Sequence, residues 1–171
     1  MFGNSGATDQ LLEYCTFWHT STKHWDVSST TRMRVNETVA CASGGPGAHG
    51  NAAVDFTMSN SRVRSANWEQ GYPFVPGPTE RVAGMKMANS DRATFDNTLW
   101  MDSKCNGLWH DVHCTDVKIY RSSFIRNLGY GYTQENGGTA FLGVDLLFLG
   151  NGNTVAFNKD AYRIAGVPHA H

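Results

Sequence analysis

Asp111 and Glu135 are carboxylates set 24 residues apart, each closing a glycine-led run: Gly107-Leu-Trp-His-Asp111 and Gly131-Tyr-Thr-Gln-Glu135. On neighbouring parallel strands they would stand about 4.8 Å apart. Like charges that close disfavour joint ionisation, so one pKa should rise and one proton be shared. That arrangement serves general acid–base work. A carboxyl separation of about 5 Å suits a retaining glycosidase, and a wider one an inverting enzyme. Lys86 should lie beside Trp109 on the preceding coil, because Gly84 precedes Gly107 by 23 residues. The candidate catalytic residues are therefore Asp111, Glu135 and Lys86, with Trp109, Thr133 and His113 as candidate substrate-binding residues. The indole of Trp109 offers an apolar face on which a sugar ring could stack. The two carboxylates could instead hold Ca²⁺, which takes oxygen ligands. A calcium-bound uronate would then lose its C5 proton to Lys86 or His113, a β-elimination. A plainer reading stands beside these: a solenoid surface carries polar residues, and Lys with Asp across strands pairs for under about 1 kcal/mol.

The residues that must position this group repeat. Written in rows of 24, Ala93 to Asn158 stacks Trp100, Phe124 and Phe148, then Ser103, Asn127 and Asn151, then Asp111 and Glu135. The same rows place Gly131 under Val155. A fixed period with short strands, Asn/Gly turns and no 3.6-residue pattern points to a parallel β-helix. The expected fold is all-β, a solenoid of about five to six coils of about 24 residues. Alternation along each strand sends Leu108, His110 and Val112 inward and Trp109, Asp111 and His113 outward. A register shifted by one would bury Asp111 with Glu135 at high cost, which argues against it. His110 then reads as a hydrogen-bonded core histidine stacked on Gln134. Asn127 and Asn151 read as turn residues able to form ladders.

At 171 residues the chain is one domain, best supported over 54–158, irregular over 1–53, with a tail over 161–171. Gly71-Tyr-Pro-Phe-Val-Pro-Gly-Pro78 is an insertion, barred from a central strand by three prolines. A formal charge of −1 with no basic stripe gives no support for nucleic acid. No apolar run approaches the roughly 20 residues of a membrane span, and no signal peptide is visible at the start of this chain. Ala42-Ser-Gly-Gly-Pro-Gly-Ala-His-Gly50 lacks the Gly-Lys-Ser/Thr ending of a phosphate loop. Cys15, Cys41, Cys105 and Cys114 contain no C-x-x-C pair and read as buried thiols. A Cys105–Cys114 disulfide is the alternative for an exported chain. Asn36-Glu-Thr38 is a glycosylation sequon in that same case.

Asn106-Gly-Leu-Trp-His-Asp-Val-His-Cys114, followed by a strand to Ile119 and then Gly129-Tyr-Gly-Tyr-Thr-Gln-Glu135, resembles bacterial right-handed parallel β-helix repeat proteins of the pectate-lyase-like superfamily. The likeness extends to Asn67-Trp68, Ala83-Gly-Met-Lys86 and Leu149-Gly-Asn-Gly152, covering 54–153. Two positions depart from that pattern: His110 and Gln134 stand where the family has aromatics. The resemblance implies a carbohydrate-active protein, a glycoside hydrolase or polysaccharide lyase, whose partner is a polysaccharide. The alternative is a non-catalytic glycan-binding, adhesin or structural β-helix module. It further implies an extracellular or periplasmic parent longer than this chain.

Overall fold

A computed structural model describes residues 2–3, 6–68, 83–135, 140–157 and 169–170. Their strands are short, mostly three to five residues, and all their pairings are parallel. Parallel neighbours cannot be joined by hairpins, so the chain winds round and meets itself one coil later. Three sheets result. Sheet 1 has seven strands: Phe2–Gly3, Trp25–Asp26, Ala48–Asn51, Ala83–Ala88, Asn106–His110, Tyr130–Gln134 and Asn153–Phe157. Sheet 2 has six strands, from Leu11–Glu13 to Phe141–Val144, and sheet 3 has seven, from Thr16–Thr20 to Leu147–Leu149 and His169–Ala170. Each coil crosses the three in turn, making a β-solenoid of about five turns.

The expected stack is present. Trp100 pairs with Phe124 and Phe124 with Phe148. The two phenylalanine rings lie 4.8 Å apart and nearly parallel. With Leu108, Phe95 and Ile119 they form a buried column inside the coils. Each coil buries this apolar face only against its neighbours, which is why the core is a column rather than a ball. Glycine opens the sheet 1 strands because the rungs approach too closely for a side chain: a Cβ on Gly107 would lie 2.4 Å from the Gly131 carbonyl oxygen.

Corners are made by residues in the left-handed region, among them Asn60 and Asn97 with φ of 49° and 51°. Asn tolerates that conformation and bonds onward. Asn97 donates to Asn60 at 2.9 Å, and Asn60 to Asn36 at 3.0 Å. The Asn36 amide is thereby engaged in a ladder, not presented as an open sequon. At another corner Asn127 donates to Asn151 at 2.9 Å and to the Trp100 carbonyl at 3.0 Å. Asn151 donates to the Phe124 carbonyl at 2.8 Å. A third corner alternates charge: Asp9, Arg32, Asp55 and Arg92 stack, with Arg32 on Asp9 and Arg92 on Asp55, both at 2.6 Å.

Two expectations need correction. Residues 1–53 are regular wherever described: Val35 pairs with Met58, and Trp25 with Ala48, in unbroken register. The weak sequence repeat there reflects small or polar residues in place of large ones, with Ala40 where Trp100 stands later. The uniform 24-residue row also fails on sheet 1. Tyr132, not Gly131, pairs with Val155, a step of 23, whereas Met85 pairs with Leu108 as the 23-residue spacing of Gly84 and Gly107 predicts. All four cysteines are free, in line with their reading as thiols: Cys41, Cys105 and Cys114 are buried, Cys15 is half-buried, and the alternative Cys105–Cys114 disulfide is not formed. The Gly71–Pro78 insertion lies outside the described residues, as does most of the 161–171 tail.

Candidate functional site on the outer face of sheet 1

Lys86 sits mid-strand in Ala83–Ala88 and pairs with His49 on one side and Trp109 on the other. Trp109 pairs in turn with Thr133. Asp111 and Glu135 follow the ends of their strands on consecutive rungs. The Asp111 N–H bonds to the Met87 carbonyl at 2.7 Å and the Glu135 N–H to the His110 carbonyl at 2.8 Å. The register thus brings Lys86, Trp109, Asp111, Thr133 and Glu135 onto one outer face.

The charges are in contact. Lys86 Nζ lies 2.7 Å from Asp111 Oδ2, each side chain about one-fifth exposed (19% and 18%). The same ammonium stands 3.7 Å from the centroid of the Trp109 ring. The Glu135 side chain hydrogen-bonds Asp111. Burial pushes the Asp111 carboxyl upward, but bonds from Lys86, Glu135 and the Val112 N–H outweigh it and hold the pKa below the ordinary carboxylate value.

Trp109 does not offer an open sugar-stacking face: it is 3% exposed and Lys86 lies over its ring. Its Nε1–H and the Thr133 Oγ1 are buried without partners, on paired rungs beside the carboxyls. Lys86 is engaged with the Asp111 carboxylate and the Trp109 ring. His113 is exposed in the turn after the strand with φ of 54°. The donor set does not fit Ca²⁺. The ion takes six to eight oxygens, the Lys86 ammonium already occupies Asp111, and no cluster of three or more acidic, His or Cys residues able to hold a metal occurs among the described residues.

The outer column continues into residues the sequence reading missed. Asp26 pairs with His49, which pairs with Lys86. Asp26 forms an ion pair with Lys23 and accepts from the Ser28 N–H at 2.9 Å, while His49 Nδ1 lies 3.6 Å from Asp26 Oδ1. Burial lowers the His49 pKa, Asp26 opposes this, and Lys23 and Lys86 add to it. The 23-residue step from Asp26 to His49 was the available signal, masked by a 24-residue row and by the insertion before Lys86.

His110 is inward and fully buried, as expected, but it is not hydrogen-bonded to Gln134. Both ring nitrogens lack partners, and the ring packs on Phe95 and Tyr132 at 5.4 and 5.6 Å. Gln134 instead accepts from the Tyr132 hydroxyl at 2.9 Å. Burial pushes the His110 pKa down to about 3.

Parallel rungs wound through three sheets define a parallel β-helix. Solved structures agree with that fold. The enzymatically active domain of tailspike protein 2 from bacteriophage CBA120 superposes with a TM-score of 0.69 at 12% identity, over 90% of this chain and 28% of that one. A pectate lyase gives 0.64 at 10% identity, over 94% of this chain and 50% of that one. A putative glycosyl hydrolase from Parabacteroides merdae gives 0.58 at 13% identity, over 95% and 81%. The chain therefore spans under a third of the tailspike domain. No family model and no curated protein matches the sequence. Among the described residues no helix is long and apolar enough to cross a membrane.

Proposed function

We propose that the protein acts on a polysaccharide, cleaving a uronate-containing chain by β-elimination at the outer face of sheet 1. The observation that carries this reading is the Lys86–Asp111–Glu135 contact. A hydrogen-bonded carboxyl pair is closer than the roughly 5–5.5 Å of a retaining glycosidase and far closer than the roughly 6.5–9.5 Å of an inverting one. Proton transfer from one face of a sugar needs neither spacing. In this reading Asp111 takes the C5 proton, the electron pair forms the C4–C5 double bond, and the C4–O bond breaks. Glu135 delivers the proton to the departing oxygen. An ammonium has three donors; with one on Asp111, Lys86 retains others for the uronate carboxylate.

The polysaccharide class is supported by the fold neighbours, described as a tailspike active domain, a pectate lyase and a glycosyl hydrolase. An extracellular or periplasmic location for the parent protein belongs to the same reading; one further neighbour is a periplasmic alginate epimerase, with a TM-score of 0.56. A non-catalytic glycan-binding or structural module is the second reading. It is favoured by the closed Lys86–Asp111 pair, which a purely structural rung would also show. A polysaccharide panel read for both reducing ends and unsaturated-uronate absorbance separates them. Absorbance with matching reducing ends supports elimination, reducing ends alone mean hydrolysis, and neither leaves the non-catalytic module.

A further inference from the structure

A second groove lies away from the carboxyl pair, at the corner where sheet 3 turns into sheet 1. It has a volume of about 660 Å³ and runs across successive coils, with Arg64, Trp68, Asp102, Lys104, Arg126 and Leu128 among its lining. Its floor is fixed by the solenoid backbone. The Trp68 N–H bonds to the Ser43 carbonyl at 2.8 Å, the Lys104 N–H to Ala66 at 2.9 Å, and the Leu128 N–H to Ser103 at 2.9 Å. The Trp68 and Leu128 side chains are therefore held on ordered rungs, yet each is about half exposed (52% and 50%). Large apolar side chains left open beside polar groups mark a binding surface more often than isolated ones do.

The charge in the groove is one-sided. Among the described residues, Arg64, Lys104 and Arg126 face a single carboxylate, Asp102. Arg126 holds that carboxylate with two bonds, at 2.8 and 3.1 Å. Arg64 reaches it only at 3.9 Å, so most of its donors remain available. Lys104 Nζ stands 5.9 Å from the Trp68 ring. An indole face beside two guanidinium groups and an ammonium fits a chain whose units carry both an apolar ring face and a carboxylate. The volume falls within the roughly 300–1,000 Å³ of small-ligand sites.

We infer that this corner groove is a separate binding site for an acidic glycan, with Trp68 under a sugar ring and Arg64 on its carboxylate. The uronate class rests on the function proposed above; the groove and its charge do not. Its role is to hold the polymer while the sheet 1 face works on another segment, and linking two sites raises avidity by up to about 10²–10⁴.

The test is titration of wild type, Arg64→Gln, Trp68→Ala and Asp111→Asn with a polyuronate, a neutral glucan and a single-stranded oligonucleotide, with melting temperature as the folding control. Both groove side chains are exposed, so their variants should melt like wild type. The expected result is polyuronate affinity at least tenfold weaker in Arg64→Gln and Trp68→Ala, retained groove binding in Asp111→Asn, and no comparable affinity for glucan or oligonucleotide. Wild-type affinity in both groove variants overturns the inference, as does equal or tighter oligonucleotide binding, or no polyuronate binding by wild type. Turnover by wild type with unchanged binding in the variants sinks the groove alone. Groove-dependent binding with no turnover sinks the catalytic reading alone.

Discussion

Lys86 reaches across one rung of sheet 1 to Asp111, with Nζ 2.7 Å from Oδ2, while the same carboxyl bonds the Glu135 side chain on the next rung. Three coils thus contribute one residue each to a single ion-and-proton cluster. The ammonium lowers the Asp111 pKa, and the Glu135 side chain beside it acts in the same direction.

Replacing Lys86 should therefore act through Asp111. Lys86→Met is expected to lower turnover by about 10²-fold or more, the lower range for general acid–base groups. It should also move the acidic limb of the pH–rate profile upward, because the cation that depresses the Asp111 pKa is gone. A profile of reduced height but unchanged position would mean that Lys86 has no influence on the acid.

Stability should carry the same signature. The folded pKa of Asp111 lies below its unfolded value of about 3.9. The stabilisation is thus complete above that unfolded value and lost as pH falls through the folded one. The melting-temperature difference between wild type and Asp111→Asn should be largest at neutral pH and close in acid. A difference that stays constant to pH 2 would contradict the assignment.

His110 works the opposite way from a catalyst. With a folded pKa of about 3 against an ordinary 6.5, the unfolded chain binds the extra proton between those values. Stability should rise with pH across that window and level off above it. His110→Phe removes two buried, unpartnered nitrogens, so we expect a gain of about 1 kcal/mol in denaturant unfolding and a shallower acid limb. His24, whose pKa burial lowers to about 4, supplies the residual slope. A loss of stability in His110→Phe would show instead that the ring's shape, not its polarity, fits the core.

Asn127 tests the ladder. It is 1% exposed, accepts from the Ser103 N–H at 3.3 Å and donates to the Trp100 carbonyl. Asn127→Ala leaves those buried backbone groups unpaired and should cost about 2 kcal/mol. Urea unfolding measures it directly; a change within experimental scatter would mean that water replaces the amide.

The fold was legible where large residues repeat. Trp100, Phe124 and Phe148 announce the coil because an aromatic stack tolerates no change of register. Residues 1–53 hid theirs because Ala40 stands in that column and a small residue carries little signal; Val63 continues it weakly into the next coil. The carboxyl pair was legible for the same reason as the stack, both acids lying on a true 24-residue step. Asp26 and His49 were not, because sheet 1 advances by 23 residues there and a one-residue slip changes the face. Trp109 was misjudged for a different reason: alternation gives direction, not exposure, and the Lys86 side chain lies over it. The charge of the corner groove comes from Arg64, Lys104 and Arg126 on three different coils, a sum that no local motif displays.

The most direct measurement of the central claim compares wild type, Asp111→Asn and Glu135→Gln on a polyuronate, following unsaturated-uronate absorbance. The account predicts absorbance for wild type and a fall of about 10²–10⁴-fold in each variant, with both variants folded by melting temperature. Undiminished absorbance in either variant, or none in wild type, would contradict it.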